Sequence, residues 1–207
     1  LNNVTRHDIL NQLTILSGYL AMIKMTFSDP ALQEMIVKVI SAANNIQKQI
    51  SFTKDYQDVG VQSPQWFNLR KIITSVAGEL SLHPVSVVVN FEDLELYADP
   101  LLEKVFYTLL ENAIRHGKTV TSVEFSCKRV GDALKVICQD NGAGVPAEYK
   151  EAIFQREYFN HTGFGLYLSR TILAITGMEI RETGVPGNGA RFEITVQSDA
   201  FRFTGSV

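Results

Sequence analysis

Four short segments hold residues whose types and spacing can do chemistry. The first is Arg-His-Asp-Ile-Leu-Asn at 6–11. On a helix, positions i and i+4 share a face, so His7 and Asn11 point the same way. Asp8 can accept a hydrogen bond from one imidazole nitrogen, which fixes the tautomer and leaves the other nitrogen as a nucleophile. The second is Leu-Leu-Glu-Asn-Ala-Ile-Arg-His at 109–116. There an amide oxygen of Asn112 is a hard ligand suited to Mg²⁺, and Arg115 and His116 suit phosphate oxygens. In the third, Asp140-Asn141-Gly142-Ala143-Gly144, a carboxylate at a strand end can accept from the exocyclic amine of adenine. Gly142 and Gly144 would let the backbone approach the base. In the fourth, Gly163-Phe164-Gly165 opens a helix whose free N–H groups and dipole favour phosphate. Taken singly, each has a plainer reading: an exposed helix turn, an amphipathic helix, an Asn-Gly turn.

Composition narrows the class. The chain has 207 residues, 45% of them hydrophobic and 20% charged, with a net charge of −3. That is ordinary for a globular protein, and nothing in the bulk charge argues for nucleic acid or an anionic membrane as partner. No apolar run is long enough to span a bilayer, so no membrane contact by this stretch of chain is expected, and a cytoplasmic location is. Cys127 and Cys138 both fall in strand-like runs and read as packed, reduced thiols.

The elements that must position these residues follow from periodicity. Apolar residues at threes and fours predict helices over 4–27 and 30–57, with Asp29 and Pro30 as cap and first turn of the second. Joined by a tight turn, they form an antiparallel hairpin. One hairpin cannot bury both apolar stripes, so a homodimer forming a four-helix bundle is expected. Residues 59–67, with Gly60, Ser63 and Pro64, read as a linker able to act as a hinge. The sequence therefore divides into 1–58, a linker 59–67, and 68–207. In the last part, helices are predicted over 68–82, 100–116, 147–153 and 164–176. Strands are predicted over 85–91, 94–97, 121–130, 133–139, 178–183 and 190–197. The final ten residues are left unassigned.

In order and spacing, the four segments resemble the catalytic core of a two-component sensor histidine kinase, from about Thr5 to Val196. The resemblance implies an α+β architecture: a helical hairpin for dimerisation and histidine phosphotransfer, then a Bergerat-type α/β sandwich that binds ATP with Mg²⁺. It implies that His7 accepts the γ-phosphoryl group and that Asp8 assists as general base or orienter. Asn11 then places a water that dephosphorylates the partner, a response regulator receiver domain. It also implies that Asn112 holds Mg²⁺ and that Arg115 and His116 approach the phosphates. Asp140, Gly142 and Gly144 form a first glycine box, Phe154 an aromatic box, and Gly163 and Gly165 a second glycine box. Gly187-Asn188-Gly189 resembles a third. Two positions depart from the family's pattern: Gln12 stands where a proline is frequent, and Thr108 where a second Asn is usual. His7 lies close to the start of the chain, so a sensor domain is expected upstream in the parent protein.

Two other readings share the pocket. ATPase switches like gyrase, mismatch-repair proteins and heat-shock chaperones place a water-activating glutamate four residues before the magnesium Asn. Thr108 occupies that place and cannot act as a base. The other is a dimeric scaffold that binds nucleotide without transferring it, and the joint presence of His7, Asp8, Asn112 and Asp140 argues against it.

Overall fold

The structure is a computed structural model, and it describes residues 3–80, 84–117, 119–155 and 164–204. The chain divides into two compact units, Leu1–Tyr56 and Gln57–Val207.

The first unit is the helical hairpin. Helix α1 spans Asn3–Thr26 and α2 spans Pro30–Asp58. Asp29 caps α2 as its sequence suggests: its Oδ1 accepts the Leu32 N–H at 2.8 Å. Gln33 closes the turn by donating its amide to the carbonyls of Lys24 and Phe27. The seam between the helices is built on Leu13, Ala43 and Ile50, with Ile9 and Leu10 packed beside them. Much of the remaining apolar surface stays open, including Tyr19, Met22, Met25 and Met35.

The second unit is an α/β sandwich. A five-stranded sheet has the order β2 (Ser86–Asn90), β4 (Ser122–Val130), β5 (Ala133–Asp140), β7 (Arg191–Val196), β6 (Glu179–Glu182). β2 and β4 run parallel, and the other neighbours antiparallel. A smaller antiparallel sheet joins β1 (Gln65–Asn68), β3 (Leu94–Ala98) and β8 (Phe201–Phe203). Helices α3 (Leu69–Glu79), α4 (Leu102–His116) and α5 (Phe164–Ala174) supply the opposing layer. Alternation sends Val123 and Phe125 of β4 and Phe192, Ile194 and Val196 of β7 inward. They meet Val105, Phe106, Leu109 and Leu110 of α4; the Phe106 and Phe125 rings lie 6.0 Å apart.

Three local expectations are corrected. Residues 65–67, assigned to the linker, form β1 together with Asn68, and the unassigned tail contributes β8. Both strands are too short for alternation to register, and each is held by pairing with β3. The predicted helix at 147–153 is two single 3₁₀ turns, Ala147–Tyr149 and Ala152–Phe154. Pro146 cannot extend a hydrogen-bonded run backwards, and the second turn delivers Phe154 into the core. Helix α3 starts one residue later than predicted because Asn68 is its cap, accepting the Lys71 N–H at 3.0 Å.

Among the described residues, no helix is long and apolar enough to cross a membrane. Cys138 is buried and Cys127 half-buried, both free thiols. Burial pushes the Cys138 thiol far up, with the Asp140 charge adding to it, and burial raises Cys127 as well. Neither is set up as a nucleophile.

Candidate functional site

On α1, Asn11 and His7 meet as their spacing predicts: Asn11 Nδ2 lies 3.2 Å from His7 Nδ1. Asp8 Oδ1 lies 3.5 Å from the same nitrogen. Both His7 and Asp8 are open to solvent, at 74% and 68% exposure. Nδ1 therefore has two neighbours that ask for opposite tautomers. If Nδ1 carries the proton, Asp8 accepts from it and Nε2 keeps its lone pair. If Nδ1 is bare, the Asn11 amide donates to it and Nε2 carries the proton. Only the first arrangement leaves Nε2 a nucleophile.

In the second unit, three turns converge on the end of β5. Asp140 is buried, and its Oδ1 accepts the N–H of Gly142 at 2.8 Å and of Ala190 at 3.1 Å. Two backbone donors on one oxygen hold the carboxylate in a single orientation. The turn that follows is wedged on both sides. A Cβ on Gly142 would lie 2.5 Å from the Gly117 carbonyl oxygen, just past α4. Gly144 has φ +71°, and a Cβ there would lie 2.8 Å from the Gly189 carbonyl oxygen. Close approach of neighbouring backbone therefore requires glycine at both positions. Ala143 ties the turns together: its N–H donates to Gly117 at 3.3 Å, and its carbonyl accepts from Gly187 at 2.8 Å.

Helix α4 runs into this junction with Asn112, Arg115 and His116 on its last two turns. Asn112 is half-buried. Arg115 makes a long contact with Glu111, 3.4 Å, and stays 40% exposed. Burial lowers the His116 pKa first, and the Arg115 charge lowers it further against an opposing pull from Glu111. His116 is thus a neutral imidazole near pH 7, which leaves Arg115 as the cation of the pair. Among the described residues, no three His, Cys, Asp or Glu side chains converge as a metal site. Mg²⁺ bound mainly through nucleotide phosphates and water needs only one or two protein oxygens, and the Asn112 amide fits that requirement.

The remaining candidates are placed differently. The Phe154 ring is a core ring, edge-on to Phe192 at 6.2 Å, with the Arg170 guanidinium 4.1 Å above it. Gly165, at the start of α5, packs on α4: a Cβ there would lie 2.9 Å from Thr108 Cγ2. Gly163 lies outside the described residues.

One contributor escapes sequence reading. Asn141 reads as half of a generic Asn-Gly turn. Its Oδ1 accepts the N–H groups of Thr121 at 2.9 Å and Ser122 at 3.1 Å, and its Nδ2 donates to Thr121 Oγ1. It thereby pins the segment after α4 to the end of β5. Gly189, in the segment that resembles a third glycine box, has φ +86°, and a Cβ there would run into the Asp140 carbonyl oxygen.

Residues 98–200 match the family described as histidine kinase-, DNA gyrase B- and HSP90-like ATPase. Over 199 residues the chain is 25% identical to the signal transduction histidine-protein kinase AtoS of Escherichia coli (strain K12), covering 91% of this chain. The match spans 33% of AtoS, so the chain corresponds to about a third of that relative. Among solved structures, the histidine kinase AdeS of Acinetobacter baumannii superposes with a TM-score of 0.60 at 19% identity, over 93% of this chain and 98% of that one. Full-length ShkA in complex with AMPPNP superposes with a TM-score of 0.66 at 15% identity, over 98% of this chain and 46% of that one. At these identities the two structures speak for the fold.

Proposed function

We propose that this chain, whose residues 98–200 match the histidine kinase-, DNA gyrase B- and HSP90-like ATPase family and which resembles the histidine kinase AtoS over most of its length, is a sensor histidine kinase catalytic core that transfers the γ-phosphoryl group of ATP to His7 and then to an aspartate of a response regulator receiver domain. The supporting observation is the arrangement at His7. A nucleotide cradle alone would serve an ATPase switch equally well. An exposed imidazole with a carboxylate 3.5 Å from Nδ1 is what a phosphoacceptor needs.

In the tautomer held by Asp8, the Nε2 lone pair attacks the γ-phosphorus as the bond to the β–γ bridging oxygen breaks, and ADP leaves. The Nδ1 proton stays with the ring, and the imidazolium charge that develops is offset by Asp8. Asp140 accepts from the purine amine, while Gly142 and Gly144 let the base lie against the backbone. Arg115 can leave its long contact with Glu111 to meet a phosphate, and His116 can donate as a neutral group. Mg²⁺, when bound, would screen the phosphate charge and polarise the γ-phosphoryl group, held to the protein by the Asn112 amide. Asn11 then orients a water for hydrolysis of the regulator's acyl phosphate, giving a phosphatase activity. The active species is a homodimer in the cytoplasm.

The test is incubation with γ-labelled ATP and Mg²⁺. Acid-labile, base-stable label is expected on the native chain and none on His7→Gln. Label that persists in His7→Gln would remove His7 as acceptor. A chain that binds ATP but takes no label would favour the scaffold.

A further inference from the structure

Beside the cradle a buried carboxylate is paired with a half-buried ammonium, and none of the assigned roles uses them. Glu182, at the end of β6, has a side chain with no exposed surface. Its Oε1 accepts the N–H groups of Gly184 at 3.0 Å and Arg191 at 3.1 Å. Lys150 Nζ approaches Oε2 at 2.8 Å, off the line of a hydrogen bond, so the attraction there is Coulombic. The same ammonium donates to the Gly184 carbonyl. Lys150 follows the first 3₁₀ turn, so the pair joins the segment after the Gly144 turn to the segment after β6.

Contacts lead from this pair to Asp140. Gly184 has no room for a side chain: a Cβ would lie 2.7 Å from Glu182 Oε1 and 2.8 Å from the Gly189 carbonyl oxygen. Gly189 rests in turn on the Asp140 carbonyl, and the next residue, Ala190, donates to Asp140 Oδ1. The turn at 183–189 is thus a tightly packed spacer between the ion pair and the carboxylate. A buried carboxylate is costly unless fully paired, so loss of Lys150 would leave Glu182 seeking another arrangement and shift that spacer.

The geometry points to Lys150 and Glu182 as positioning residues for adenine recognition, clamping the 183–189 turn so that Asp140 stays aimed at the purine 6-amine. This rests on the proposed role of Asp140 in nucleotide binding. Neither residue is among those assigned to nucleotide contact, so the signature is a change in selectivity and not only in stability.

The experiment compares the affinity of the native chain and its variants for ADP and for purine riboside 5′-diphosphate, which lacks the 6-amine, by titration calorimetry. The native chain is expected to prefer ADP. Lys150→Met should narrow that preference about fivefold, the scale of a partly lost charge-assisted hydrogen bond. Lys150→Arg, which keeps the charge, should retain it. Glu182→Gln keeps the acceptor and the volume but not the charge. It should narrow the preference like Lys150→Met, and it supplies the reading if that variant does not fold. A folded variant with the native preference, or one that loses affinity for both nucleotides in equal proportion, would overturn the positioning role. A native chain that binds ADP without preferring it would overturn the role of Asp140 and this inference together. A native chain that binds neither nucleotide would refute the nucleotide site itself.

Discussion

In the α/β unit, Leu69, Ile73, Phe106, Leu110 and Phe125 have no exposed surface; in the hairpin, Tyr19 and Met22 are more than half exposed and Met25 is 89% exposed. Both units are rich in apolar residues, and they differ in geometry. A sheet faced by three helices closes a core from within, because each strand and helix turns one apolar side to the other layer. Two helices have one shared seam, and in this hairpin it is satisfied by Leu13, Ala43 and Ile50. Apolar residues beyond that seam need surface that the hairpin does not contain. Hence one unit carries its stability within the chain, and the proposed homodimer would supply the other with the surface it lacks.

Dilution is the harshest test of that contrast. The fragment 1–58 should lose its helical circular dichroism on dilution, with a midpoint that moves with concentration, while 57–207 should unfold at a concentration-independent temperature. A hairpin that stays helical as a monomer would break the comparison. A smaller effect sharpens it. Phe106→Ala should destabilise 57–207 by about 3–5 kcal/mol in urea unfolding, since the ring is fully buried against Phe125. Met22→Ala should weaken self-association of fragment 1–58 and so move its unfolding midpoint to a higher concentration, with no effect on 57–207.

The contrast also explains what was legible in the sequence. Long periodic elements such as α1, α2 and α4 declare themselves because many residues repeat the same signal. Strands β1 and β8 do not, because three or four residues cannot show a period and their hydrogen bonds come from β3, far away in sequence. At the candidate site, Asp140, Gly142 and Gly144 are local and could be read from their own segment. Asn141 and Gly189 act on neighbours about 20 and 50 residues distant. The Lys150–Glu182 pair spans 32 positions. Such partners become visible only when the turns are brought together. Phe154 was read for its place in a motif, and the structure shows its ring in the core.

Glycine substitutions separate conformational need from crowding within the stable unit. Gly131 and Gly189 both have positive φ, +61° and +86°, but only Gly189 faces backbone where a Cβ would stand. Gly131→Ala should cost about 1 kcal/mol, the ordinary penalty of the left-handed region. Gly189→Ala should cost more, about 2–3 kcal/mol, because the Asp140 carbonyl must also move. Equal costs, measured by urea unfolding, would mean that the turns around Asp140 are looser than their contacts imply.

The smallest effect concerns acid, and it is read in the α/β unit. Burial pushes the Glu193 carboxyl upward, but hydrogen bonds from Lys135 and Arg191, the Lys135 charge and a hydrogen bond from Thr183 outweigh it, so its pKa lies below the ordinary 4.5. Its contribution to stability is present above that value and is lost as pH falls through the lowered one. His116 acts earlier in an acid titration. Its pKa is lowered from 6.5, so below that value the unfolded chain takes up a proton that the native one resists, and stability falls with pH. Two steps are therefore expected as 57–207 is acidified, each about 1 kcal/mol or less because both groups are partly solvated. His116→Gln should remove the step below pH 6.5. Glu193→Gln should remove the step below pH 4.5, with a small loss at neutral pH from the Lys135 contact. If His116→Gln leaves the upper step in place, the imidazole is not the neutral group at the end of α4. The division of labour in which Arg115 alone carries the positive charge toward phosphate then fails with it.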